Sequence, residues 1–123
     1  MERVLGIGGV FLRARDPVAL RAWYAEQLGV PVEDWGGFPF RAEQDDVTVW
    51  SVFPADSDYW DQAKDAMINF RVRDLEAMLA QLRAGGAPVD EKQHEDENGS
   101  FGWTTDPEGN RIELWQPRQS SIE

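Results

Sequence analysis

Phe101-Gly102-Trp103-Thr104-Thr105-Asp106-Pro107-Glu108-Gly109-Asn110-Arg111-Ile112-Glu113-Leu114-Trp115-Gln116-Pro117 is the most informative run in the chain. Asp106, then Pro107, then Gly109 three after the Asp, is type I turn chemistry, because Pro presets the first turn dihedral and Asp caps the turn from its own side chain. The flanks, Phe101–Thr105 and Arg111–Trp115, are therefore the two arms of a hairpin. In the second arm Ile112 and Leu114 point one way, while Arg111, Glu113 and Trp115 point the other. An aliphatic face backs onto a mixed face that is unsuited to a dry core and should line something.

Upstream of the hairpin lies a strand-then-helix unit. Ile68, Phe70 and Val72 alternate with Asn69 and Arg71, a period of two. Asp74 stands where an N-cap carboxylate accepts free backbone N–H groups. Leu75, Met78, Leu79 and Leu82 then recur near 3.6, which predicts a helix over Leu75–Ala84 stopped by Gly85 in the left-handed conformation. Asp90–Asn98 reads as an acidic loop in which His94 is a solvated residue or, if the loop folds over, part of a lid.

The same pattern occurs once more, 58 positions earlier. Arg13/Arg71, Arg15/Arg73, Asp16/Asp74 and Ala19/Ala77 coincide at that offset, and each copy closes on Gly followed by Pro-Val (Gly29…Pro31-Val32, Gly86…Pro88-Val89). The first copy predicts a strand at Val10–Ala14 and a helix at Pro17–Leu28. Asp16 is its cap, Pro17 sits at the first helical position and Gly29 is the stop. Leu20, Trp23, Tyr24 and Leu28 form its buried face, with Tyr24 a core residue. A strand follows at Val47–Phe53, and aligning Pro54 with Pro117 sets Trp50 opposite Glu113. The plan is strand, helix and three strands, twice, in a single domain over 1–123. Module one covers about 4–54, a polar linker 55–65, and module two about 66–117, with a frayed tail at 118–123. Two such units can set their mixed faces around one half-barrel cavity.

Composition narrows the function. The chain has 123 residues and a net charge of -11, which repels phosphate backbones and anionic lipid and so argues against nucleic-acid or membrane partners. Cys is absent and His occurs once, so thiolate and multi-histidine sites are excluded. Met1-Glu2-Arg3-Val4 does not open a secretory leader, and no apolar run is long enough to span a bilayer, so the expected address is cytoplasmic. Gly6-Ile7-Gly8-Gly9 precedes a strand where a dinucleotide fingerprint needs a helix. Asp56, Asp58 and Asp61 lack the Gly and closing Glu of a calcium loop. Six Trp in so short a chain point to a ligand surface.

Taken together, Arg-x-Arg-Asp before each helix, Met67-Ile68-Asn69-Phe70-Arg71-Val72, Leu82-Arg83-Ala84-Gly85-Gly86 and above all Asp106-Pro-Glu-Gly-Asn-Arg-Ile-Glu-Leu-Trp-Gln-Pro117 resemble the vicinal oxygen chelate superfamily. That group holds glyoxalase I, extradiol dioxygenases and the fosfomycin- and bleomycin-resistance proteins. The resemblance covers nearly the whole chain. It implies an α+β fold of two βαβββ modules in one chain, a curved half-barrel mixed sheet with a central cavity, and a homodimer. It also implies a divalent metal held by inward positions on four strands, which fall here on Gly9, Trp50, Met67 and Glu113. Only Glu113 can ligate, and one carboxylate does not hold a transition ion that ordinarily takes three or four ligands. The expectation is a site that has lost its metal and keeps no cofactor.

Projecting the alternation inward gives the candidate ligand-binding residues Phe11, Arg13, Trp50, Met67, Asn69, Arg71, Trp103, Thr105 and Glu113, with Trp115 a packing or dimer contact. This is an aromatic lining with few polar groups, the profile of a small-molecule pocket. Trp50 and Trp103 offer faces to a planar or cationic ligand, although Trp50 would also serve as a plug and Met67 as filler. Glu113 is the candidate catalytic residue, a general base in an apolar cavity; the competing role is an ion pair with Arg13 or Arg71. Arg13 and Arg71 could also clamp an anion, and Asn69 could orient a carbonyl or hydroxyl. The expected function is small-molecule binding, of a cationic or aromatic ligand as in the bleomycin-resistance members. The alternative is a glyoxalase- or dioxygenase-type enzyme using Glu113 as base or residual metal ligand.

Overall fold

The computed structural model describes residues 1–3, 7 and 9–118. The first residues assigned to module one, the Gly6-to-Gly9 run in part, and positions 119–123 of the expected tail lie outside the described residues. Among the described residues, two helices, α1 (Pro17–Leu28) and α2 (Leu75–Ala84), accompany four strands: β1 (Ile68–Arg71), β2 (His94–Asp96), β3 (Gly99–Thr105) and β4 (Arg111–Pro117). The strands form one open mixed sheet in the order β1-β4-β3-β2. β1 runs parallel to β4, and the β2–β3 and β3–β4 pairs are antiparallel.

Both helices start and stop where their sequences predict. The Asp16 carboxylate accepts from the Ala19 N–H at 3.0 Å, and Asp74 accepts from Ala77 at 3.0 Å. Gly29 ends α1 at φ 71°. At α2 the left-handed residue is one position later than expected: Gly85 lies at φ -83° and Gly86 at φ 80°. The shift lets the Gly86 N–H reach the Arg83 carbonyl and Ala87 that of Leu82, so two orphan carbonyls are satisfied by the Gly-Gly pair.

The helices cover the aliphatic face of the sheet. Leu20, Tyr24 and Leu28 from α1 meet Leu75, Leu79 and Leu82 from α2 over Ile112 and Leu114 of β4. Leu79, Leu82, Ile112 and Leu114 are fully buried, each contributing roughly 1.5–3 kcal/mol of transfer free energy. Gly102 on β3 makes the close approach possible, since a Cβ there would stand 3.1 Å from Leu79 Cδ2. The helices are cross-tied by Gln27 Nε2 to the Gly85 carbonyl and Gln81 Nε2 to the Gln27 carbonyl, at 3.1 and 3.0 Å.

The turn of the hairpin is also a joint. Asp106 is 4% exposed and accepts from the Glu108 and Asn110 backbone N–H groups, from Asn110 Nδ2 and from the Tyr24 hydroxyl. Glu108 receives the Arg15 and Asp16 N–H groups at the start of α1. Tyr24 is thus a core residue, as its spacing predicts, and its hydroxyl ties α1 to the hairpin.

Two expectations change. Residues 90–98 are not all loop: His94–Asp96 pairs with β3, placing His94 opposite Phe101. Glu97-Asn98 makes the two-residue turn of that hairpin, and Gly99 opens β3 just after it. The alternating segments Val10–Ala14 and Val47–Phe53 carry no strand ladder, and most of their apolar side chains face solvent: Phe11 is 92% exposed, Trp50 77% and Val52 75%. Alternation encodes a strand's two faces but supplies no partner for its backbone, and β1 and β2 are the edges of a sheet built wholly from the second half.

Candidate functional site

Direct cross-strand neighbours share a face, so the register writes out the surface opposite the helices. One row is Asn69, Glu113 and Trp103; the next is Arg71, Trp115, Phe101 and His94. Thr105 and Arg111 pair in the row beyond Glu113. The second module's candidates Asn69, Arg71, Trp103, Thr105 and Glu113 therefore lie on one face, with Trp115 beside them. Met67 is half-buried just before β1.

Glu113 is the focus of that face. It is 8% exposed and has no cationic partner among the described residues. Arg71, one of the two arginines expected to pair with it, instead reaches the Val47 carbonyl at 2.6 Å and Asp46 at 3.4 Å. Three neutral donors satisfy the carboxylate. Asn69 Nδ2 donates to Oε1 at 2.8 Å, Trp103 Nε1 donates to Oε2 at 3.0 Å, and the Tyr59 hydroxyl donates to the same Oε2. Burying an ion is costly unless its lone pairs are met, and here each neighbour meets one.

Tyr59 was assigned to the linker on the polar character of 55–65. Its signal was the Tyr59-Trp60 pair inside an otherwise charged run, with Phe53 just upstream. In the structure Tyr59 stacks on Phe53 with centroids 5.6 Å apart, meets Trp103 edge-on at 6.2 Å and meets Trp60 edge-on at 6.4 Å. Burial and the Glu113 carboxylate push its hydroxyl above the ordinary phenol value, so it is a proton donor at neutral pH.

An open cleft of about 400 Å³ is lined by Asp58, Tyr59, Trp60, Asp61, Gln62 and Arg111, and Tyr59 is the lining residue whose hydroxyl reaches Glu113. Arg111 lies over the Trp103 ring at 5.3 Å and bonds Asp90 at 2.9 Å, which holds the Asp90 carboxyl below its usual range. Its buried Nε has no partner among the described residues. On the far side of Glu113, Phe101 and Trp115 stack at 6.2 Å with planes 3° apart, and His94 tilts against Phe101 at 5.9 Å. This is an aromatic shelf running to the sheet edge.

The first-half candidates do not join this cluster. Phe11, Arg13 and Trp50 are exposed, and Gly9 lies in the same strandless stretch. The positions that the resemblance would use for a divalent ion do not fit one. Glu113 is enclosed by N–H and O–H donors, the environment of an anion, and Met67 and Trp50 bring no hard ligand. No cluster of three metal-ligating side chains occurs among the described residues.

The glyoxalase-like domain family model matches residues 9–115. The chain belongs to the glyoxalase-like domain family. With it comes the vicinal oxygen chelate superfamily. Among solved structures, this glyoxalase-like chain is similar to TnmS3, an antibiotic binding protein from Streptomyces sp. CB03234. The TM-score is 0.59 and the identity 22%, over 96% of this chain and 100% of that one. It is also similar to a member of the glyoxalase/bleomycin resistance protein/dioxygenase superfamily from Sphaerobacter thermophilus DSM 20745. There the TM-score is 0.57 and the identity 17%, over 92% and 98% of the two chains. At these identities the likeness is one of fold. No curated protein matches the chain at a significant level. No helix among the described residues is long and apolar enough to cross a membrane.

Proposed function

We propose that this glyoxalase-like protein binds a small molecule on the open face of its sheet, at a site that has dispensed with the superfamily's metal. The carrying observation is the Glu113 carboxylate, buried without a cation, wrapped by Asn69, Trp103 and Tyr59 and flanked by the Phe101–Trp115 shelf. An anion fixed among aromatic rings suits an aromatic or cationic ligand, and the net charge of -11 steers cations toward it. The antibiotic-binding description of TnmS3 supports the same class of function.

The first module completes the site in this reading. Capping of α1 and α2 by equivalent Asp residues supports a single domain of two βαβββ modules, 4–54 and 66–117, closing a half-barrel. Exposed Val10, Phe11, Val47, Val49, Trp50 and Val52 and two open sheet edges support a homodimer, since a monomer rarely leaves so much apolar surface in water. In that assembly Phe11, Arg13 and Trp50 are the residues that would reach the ligand.

Tryptophan fluorescence and thermal stability are measured against planar aromatic cations, neutral aromatics and divalent metals, alongside elemental analysis of the purified protein. Saturable quenching by an aromatic compound, unchanged by chelator, is the expected result. A stoichiometric transition metal whose removal abolishes binding overturns the reading. A second reading, Glu113 as a general base, is favoured by the way Asn69 and Trp103 fix the carboxylate in one orientation. Glu113→Gln that binds ligand normally but loses a detected turnover selects it.

A further inference from the structure

The chain contains two tyrosines, and each donates its hydroxyl to a buried carboxylate. Their settings differ. Tyr24 is 8% exposed on a helix, and its acceptor Asp106 takes its remaining bonds from its own turn. Tyr59 is 39% exposed on a segment with neither helix nor strand, and its acceptor Glu113 is held by two side chains of the sheet. Removing Tyr59 leaves Glu113 anchored by Asn69 and Trp103, with the acceptor direction on Oε2 that the Tyr59 hydroxyl filled left free.

What surrounds Tyr59 is a set of contacts suited to a phenol. Phe53 covers one face of the ring, Trp60 and Trp103 close its edges, and the carboxylate takes the hydroxyl proton. We infer that the Glu113 pocket is a site for neutral hydroxyaryl ligands, in which Tyr59 is the resident occupant that a ligand phenol displaces. The inference rests on the small-molecule reading above and names its ligand class. The lining that keeps the Tyr59 hydroxyl protonated does the same for a guest phenol, whereas a phenolate meets Glu113 as a like charge.

The probe is p-cresol, the tyrosine side chain itself, compared with 4-methylanisole, which has the ring without the proton, and with benzylamine, which is cationic. Tyr59→Ala is expected to bind p-cresol on the order of tenfold more tightly than the unaltered protein, because an internal competitor has been removed. It should bind 4-methylanisole at least tenfold more weakly than p-cresol. Tyr59→Phe, whose ring still fills the box, should show no such gain. Should Tyr59→Ala not fold, the Trp103 indole N–H resonance of the unaltered protein carries the test, since that group shares Oε2 with the phenol. It should shift with p-cresol and not with 4-methylanisole. Equal binding of p-cresol and its ether, no binding of p-cresol by Tyr59→Ala, or an unmoved Trp103 resonance overturns the hydroxyaryl assignment. If benzylamine or another aromatic still quenches the protein, the general small-molecule reading survives that failure. If no aromatic compound binds at all, both fall together.

Discussion

Asp106 shows how much one side chain can carry. Its Oδ1 serves the Glu108 and Asn110 backbone N–H groups, and its Oδ2 serves Asn110 Nδ2 and the Tyr24 hydroxyl. A hydrogen bond to a charged acceptor is worth about 1.5–3 kcal/mol, and donors left buried without a partner add their own desolvation cost. Tyr24→Phe removes one bond and leaves Asp106 with three donors, so it should cost about 1–2 kcal/mol in urea denaturation. Asp106→Ala strands three donors of the turn together with the Tyr24 hydroxyl and should cost about 3 kcal/mol or more. Equal losses for the two variants would mean that the turn does not depend on this carboxylate. The sequence made Asp106 legible as a turn residue and Tyr24 as core, because both readings are local. The bond between them spans 82 positions and was not. The same limit hid Tyr59: its neighbours are charged, and only the folded chain brings its hydroxyl to Glu113.

Elements were legible where their signals were self-contained. Caps, a 3.6-residue period and a Gly stop define a helix without reference to the rest of the chain, and α1 and α2 begin and end as expected. The β3–β4 hairpin carries its own turn. At 10–14 and 47–53 a strand needs a distant partner that alternation does not supply, and neither segment forms a ladder. The short β2 was missed because the acidic run around its Glu97-Asn98 turn reads as loop. That turn makes a sharp test. Gly99 lies at φ 131°, and a Cβ there would come within 2.1 Å of the Gln116 carbonyl oxygen, a backbone atom that cannot step aside cheaply. Gly99→Ala should therefore destabilise by about 2 kcal/mol or more and open the end of the sheet where β2, β3 and β4 meet. Hydrogen exchange should quicken first at Ser100 and Gln116; uniform protection with an unchanged denaturation midpoint would show that the backbone accommodates the methyl group.

At the scale of the whole molecule, the two tyrosines link stability to alkaline pH. Burial and a hydrogen-bonded carboxylate raise both hydroxyls above the ordinary phenol value of about 10. The folded chain thus keeps two protons that the unfolded chain releases, so unfolding is favoured as pH rises. Below the unfolded value the contribution is fully present; above it, stability falls with each increment of pH. Tyrosinate absorbance should consequently stay low through about pH 10 and appear together with the loss of circular dichroism rather than before it. The two positions can be separated. Tyr59→Phe and Tyr24→Phe should each flatten the alkaline fall in the urea midpoint, Tyr24→Phe the more, since Tyr24 is the more deeply buried. Saturation with p-cresol, if it displaces Tyr59, should free one tyrosine to titrate near its ordinary value while the fold persists. Tyrosinate signal near pH 10 from the native, ligand-free protein would contradict the buried carboxylate partnerships on which the joint at Asp106 and the site at Glu113 both depend.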